Sequence, residues 1–146
     1  MGVFSSMNVA ATGMTAQQLR MDVISENIAN ASTTRTQKGG AYRRKTVVFS
    51  EQDTTSFDHI LNGYLGYYKP NGVKVTQVVE DPSDLRLVYE PDNPDANEEG
   101  HVEYPNVDTV TEMTNLIDSS RAYEANVTAF NAAKSIASKG LELFKG

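Results

Sequence analysis

The chain has 146 residues, a formal net charge of −6 and a hydrophobic fraction of 39%, enough for one domain or for one small domain with extensions. It has no cysteine, which excludes disulfides, thiolate metal sites and a cysteine nucleophile; the acidic balance argues against nucleic acid, whose binders need a positive footprint. The opening "MGVFSSMNVAATGMTAQQLR" has neither a basic start nor an apolar run before a cleavage site, so it is not read as a secretory leader, and no apolar stretch approaches the roughly 18 residues of a membrane span.

The first predicted element covers residues 4–31. Met7, Met14, Met21 and Ile28 recur every seven residues, with Ala10, Gln17, Ile24 and Ala31 at the alternate positions. This is a heptad-like stripe of Met and Ala rather than Leu. Gly13 interrupts it at a cost of about 1 kcal/mol against Ala. Thr15 followed by Gln18 matches a capping box, so one helix with a weak point at Gly13 and two separate helices both satisfy the pattern. The helix then runs into "NASTTRTQKGG", small and hydroxyl-rich, which predicts a soft loop, and into the basic "AYRRK".

Residues 36–104 hold most of the glycines and prolines and read as turns and short elements. Val73, Val75 and Val79 share one face of "GVKVTQVVED", and Leu85, Leu87 and Tyr89 one face of "DLRLVYE". Such alternation predicts half-buried strands. "KTVVF" is a third, weaker strand, and "EPDNPDANEEG" is a loop.

From 107 to 144 a single long helix is predicted. Met113, Leu116, Ser120, Tyr123, Val127, Phe130, Lys134, Ala137, Leu141 and Phe144 alternate spacings of three and four, and only Ser120 and Lys134 break the apolar seam. At about 1.5 Å per residue it is roughly 50–57 Å long. The fold class is therefore α+β: long N- and C-terminal helices paired as a coiled-coil-like inner domain, with a small β-rich middle insert. The expected divisions are residues 1–35 for the first helix, 36–104 for the extension loop and insert, and 105–146 for the second helix. Neither stripe is fully covered by so small a chain, and spare apolar surface marks association with other chains. The competing reading is an ordinary helical hairpin capped by a small sheet.

No convergent site for catalysis is legible. His59 and His101 are far apart and in no ligand spacing, and there is no nucleophile elbow or phosphate loop. In "DANEEGHVEYPN" the residues Asp95, Asn97, Glu99, Gly100 and Val102 suit a calcium loop, but Asn106 stands where a bidentate Glu is needed. No catalytic, cofactor-binding or metal residue is expected, and no small-molecule substrate. The basic triplet Arg43, Arg44 and Lys45 reads as a contact to an acidic neighbour, or as a solvated cluster.

These segments carry a resemblance. "MTAQQLRMDVISENIANASTTRT" resembles the N-terminal signature of bacterial flagellar rod and hook proteins, and "VTEMTNLIDSSRAYEANVTAFNAAKSI" their shared C-terminal helix. "GGAYRRKTVVF", "GVKVTQVVED" and "LVYEPDNPDANEEGHVEYPNVD" are similar to the proximal rod proteins within that family. Ala41 and Gln37 stand where the family usually or often has Pro, and Glu26 where Asn is common; none of these touches the heptad seam.

The resemblance implies paired terminal helices and subunits that stack helically around a narrow channel as a structural, torque-transmitting axial protein of the basal body. It implies passage through the flagellar type III export apparatus without a cleaved signal, and a place in the rod outside the cytoplasmic membrane. Implied partners are further copies of the chain, the rod adaptor FliE, the rod proteins FlgB and FlgF, and more distal rod subunits. Residues 32–45 become an extension reaching neighbouring subunits. The expected interface comprises Met14, Met21 and Ile28; Arg43, Arg44 and Lys45; and Met113, Leu116, Tyr123, Val127, Phe130, Leu141 and Phe144. The alternative is a coiled-coil adaptor or scaffold unrelated to flagella, which would form a defined soluble oligomer alone.

Overall fold

In the computed structural model, which describes residues 3–52, 61, 64–65 and 71–143, the apolar stripes become two terminal helices, α1 (Val3–Ala29) and α2 (Thr109–Leu143). Between them lie β1 (Lys45–Glu51), β2 (Val73–Glu80), β3 (Arg86–Tyr89) and β4 (His101–Tyr104). β1 pairs with β2 and β3 with β4, as two separate two-stranded sheets. The architecture is the α+β arrangement expected, and α2, with 35 residues, is about 52 Å long. The chain divides into two compact units. One comprises Met1–Gln18, Phe49–Thr76 and Ser120–Gly146; the other comprises Leu19–Val48 and Gln77–Ser119.

In the first unit, α1 passes unbroken through Gly13. Thr15 does not cap a new helix; its hydroxyl donates to Ala11 O in the preceding turn at 3.1 Å. Gly13 is a packing residue, because a Cβ there would lie 2.7 Å from Asn126 Oδ1 on α2. That amide is held by its own bond from Nδ2 to Ala122 O, 2.8 Å, so it does not swing away freely. Ala10, Ala16 and Ala133 are buried, and small residues let the helices approach closely. Gly13→Ala is therefore expected to destabilise by roughly 1–3 kcal/mol through overpacking, where helix propensity alone predicts a gain of about 1 kcal/mol. Adding Asn126→Ala should remove the penalty, as urea melts of the single and double variants will read. Thr12 anchors the start of β2: its Oγ1 donates to Val9 O and accepts from Val73 N. A side chain at Gly72 would overlap it.

In the second unit the end of α1 tightens, with Ala31 N donating to Ile28 O, and the hydroxyl-rich segment is an ordered turn. Thr36 N donates to Gly40 O at 2.9 Å and Gly39 N to Thr36 O at 3.0 Å. Gly39 and Gly40 take φ of 84° and 73°, which a side chain would strain. Thr34 Oγ1 donates to Asp95 Oδ2 at 2.8 Å, and Arg35 sits 3.7 Å from the same carboxylate.

β3 and β4 are antiparallel, with Arg86 opposite Tyr104 and Val88 opposite Val102; Val102 is fully buried. β4 lies in the stretch tested as a calcium loop. There Asn97 Oδ1 accepts from Glu99 N and His101 N, so it shapes a turn. Among the described residues no three His, Cys, Asp or Glu side chains gather as a metal site. His101 packs edge-on to Tyr89, 5.3 Å between ring centroids; His59 lies outside the described residues. Asp108 caps α2, accepting from Val110 N at 3.0 Å and Thr111 Oγ1 at 2.9 Å. These donors, the Thr111 hydroxyl foremost, hold its carboxyl below the usual range.

Candidate assembly interface

The covered side of α2 differs from the apolar seam drawn on the sequence. Leu116, Tyr123, Phe130 and Ala137 are half-buried as expected. At the alternate positions the buried residues are Glu112, Ser119 and Ala133, with Asn126 half-buried against Gly13. Met113 is 53% exposed and Leu141 64%; Ser120 and Val127 are half-buried and Lys134 exposed. At these alternate positions the covered residue is the one before the expected one, and it is small or polar. In the second unit an outward apolar stripe is left, Val110, Met113 and Ile117; in the first, Ile136 and Leu143 are exposed on one side of the helix.

The displacement has a physical cause in the second unit. The Glu112 side chain is 1% exposed. Its Oε1 accepts from Arg44 Nη2 at 2.7 Å and Nε at 3.0 Å, and from Asn115 Nδ2 at 3.3 Å. Its Oε2 accepts from Asn27 Nδ2 at 2.9 Å. Fully buried Asn27 uses every donor and acceptor it has. Nδ2 also donates to Lys45 O, and Oδ1 accepts from Lys45 N and Tyr42 OH, each at 2.9 Å. A buried carboxylate is tolerated only with such pairing, and its place in the first turn of α2 adds the favourable end of the helix dipole. Arg44 also reaches Thr46 Oγ1 and Asp81 Oδ2, and its backbone N–H donates to Asn106 Oδ1 at 2.8 Å. Burial opposes the Arg44 charge, but Glu112 and then Asp81 outweigh it and raise its pKa. The Ser83 N–H and hydroxyl hold the Asp81 carboxyl low, ahead of Arg44.

Of the basic triplet, Arg44 is thus tied to its own chain, and Lys45 pairs with Glu26 at 2.5 Å and lies over the Tyr42 ring. Arg43 donates only to the Ser83 carbonyl, 3.1 Å, so among the described residues its charge has no carboxylate partner. Met14, Met21 and Ile28 are half-buried on α1; Phe144 lies outside the described residues. Sequence reasoning missed Asn27 and Glu112. Neither carries a local signal, because the residues that bury them lie far away in the chain.

The lock has a pH signature. Burial foremost, then the charges of Glu26, Glu112 and Glu80, push the Tyr42 phenol from 10.0 up to about 12. Folding therefore favours the protonated phenol. Its contribution is fully present below about pH 10 and lost as pH rises towards about 12, on the order of 2–3 kcal/mol. Tyr42→Phe should cost about 1 kcal/mol near neutrality, for the bond to Asn27, and flatten the alkaline loss. Urea midpoints at about pH 8 and pH 11 check this; an unchanged slope would count against it.

Two family models match these same arms. "Flagella basal body rod protein" covers residues 7–36 and "Flagellar basal body rod FlgEFG protein C-terminal" residues 98–143. The two terminal arms are thus those of a flagellar rod protein. Full-length relatives are more specific. The flagellar basal-body rod protein FlgC of Bacillus subtilis is 48% identical, covering 99% of this chain and 100% of that protein. That of Borreliella burgdorferi is 45% identical over 100% of both, and that of Escherichia coli O6:H1 39% over 98% of both. The chain belongs to the FlgC family of flagellar basal-body rod proteins, which are structural proteins and not enzymes. The reading as a non-flagellar adaptor falls with that membership.

Proposed function

We propose that this chain is a structural subunit of the proximal rod, stacking helically through its terminal helices to carry motor torque. The observation that carries the reading is the division of labour on α2. At its alternate positions the covered residues are Glu112, Ser119, Asn126 and Ala133, while Met113, Ile117 and Ile136 are more than half exposed. Apolar side chains with no cover among the described residues gain their burial from neighbours. Those neighbours are further copies, FlgB, FlgF, more distal rod subunits and the adaptor FliE. The chain reaches them through the flagellar export apparatus without a cleaved signal, and acts outside the cytoplasmic membrane. Met14, Met21, Ile28, Leu116, Tyr123, Val127, Phe130 and Phe144 belong to the same proposed interface, with Arg43 from the extension.

The absence of cysteine makes the test clean. Ile117→Cys in purified basal bodies should crosslink to a neighbouring rod subunit, whereas Ser119→Cys, on the buried side, should not. Crosslinking from position 119 and none from 117 would refute this orientation.

A further inference from the structure

The second unit presents a choice that the chain resolves against simple area. Leu116 is half-buried and belongs to both possible strips of α2; beside it either Met113 with Ser120 or Glu112 with Ser119 faces α1. Covering Met113 removes more apolar surface from water than covering Glu112. Yet Glu112 and Ser119 are fully buried and Met113 and Ile117 are 53% exposed. Successive residues are about 100° apart around a helix, so a rotation of roughly 50° separates the two arrangements. Such a rotation would carry the Glu112 carboxylate away from Arg44 Nη2 at 2.7 Å and Asn27 Nδ2 at 2.9 Å. Asn27 cannot follow, because its remaining amide atoms hold Lys45 N, Lys45 O and Tyr42 OH.

We propose that the Arg44–Glu112–Asn27 cluster selects which face of α2 packs on α1, and so keeps the Met113–Ile117 stripe free for a neighbouring subunit. A buried polar pair setting helix orientation at the expense of apolar burial is the best-attested use of such pairs. The second half of the statement rests on the rod reading. The first half concerns the subunit alone and is tested without any rod, so the two fail separately.

The test places a single cysteine at Met113 or at Ser119 and measures maleimide labelling of the isolated chain. In the native background Met113→Cys should react at least tenfold faster than Ser119→Cys. In Arg44→Ala/Glu112→Ala, which removes both charges together and strands neither, the order should invert while helicity is kept. An unchanged order in a helical double variant would overturn the proposal. If the double variant loses its helicity, the isosteric Glu112→Gln decides instead. It keeps the shape, removes the charge and replaces one acceptor oxygen with an amide donor facing Asn27 Nδ2 or Arg44, and the labelling ratio should fall severalfold; an unchanged ratio would overturn the proposal equally.

Discussion

Arg44→Ala is expected to destabilise the chain by about 3–5 kcal/mol. The variant leaves Glu112, whose side chain is 1% exposed, with hydrogen bonds from Asn27 and Asn115 but no opposing charge. Removing one partner of a buried ion pair costs this much because the other charge is stranded, not because the pair itself is worth it. Arg44→Ala/Glu112→Ala should accordingly cost less than Arg44→Ala alone, a coupling that a double-mutant cycle reads directly. The neighbouring pair gives the contrast. Lys45 and Glu26 approach to 2.5 Å but their side chains are 31% and 43% exposed, so Lys45→Ala should cost under about 1 kcal/mol. Urea midpoints that rank Lys45→Ala with Arg44→Ala would remove the buried lock from the account.

Phe130→Ala is the second large effect. Phe130 lies where the expected and observed strips of α2 coincide and is half-buried, so the loss should sit near the lower end of the roughly 3–5 kcal/mol seen for buried aromatics. In a polymer the loss recurs in every subunit, and rods should be few or absent. Exposed Ser135, on the same helix, should tolerate Ala within about 0.5 kcal/mol. Export must be followed in parallel, since a retained chain also builds nothing. Equal secretion and equal rod numbers for Phe130→Ala and Ser135→Ala would remove Phe130 from the interface.

The long elements were legible because they are periodic. α1, α2 and the valines of β2 announce themselves by spacing. β4 did not: four residues between turn formers carry too little alternation, and its partner β3 alone makes it a strand. Gly13 was misjudged because propensity sees one helix at a time, and its reason is an amide on the other helix. The covered face of α2 was drawn half a position off for the same cause. Apolar spacing scores Glu112 as a defect, while the residues that make it a core residue, Asn27 and Arg44, lie 85 and 68 positions away in the chain. The carboxylate partners of Arg44, Glu112 and Asp81, lie 68 and 37 positions away in the chain, so its pairing was not legible in the sequence.

Ile117→Lys tests the central claim most directly, that the chain leaves the Met113–Ile117 stripe of α2 out of its own core and reserves it for a neighbouring subunit. Ile117 is 53% exposed, and Lys is a good helix former, so the isolated variant should keep the native urea midpoint within about 0.5 kcal/mol. It should be exported in normal amounts, and yet basal bodies should lack a rod beyond the point where this subunit enters. Normal rods would contradict the account; so would a loss of about 2 kcal/mol or more in the isolated chain, because Ile117 would then belong to the subunit's own core.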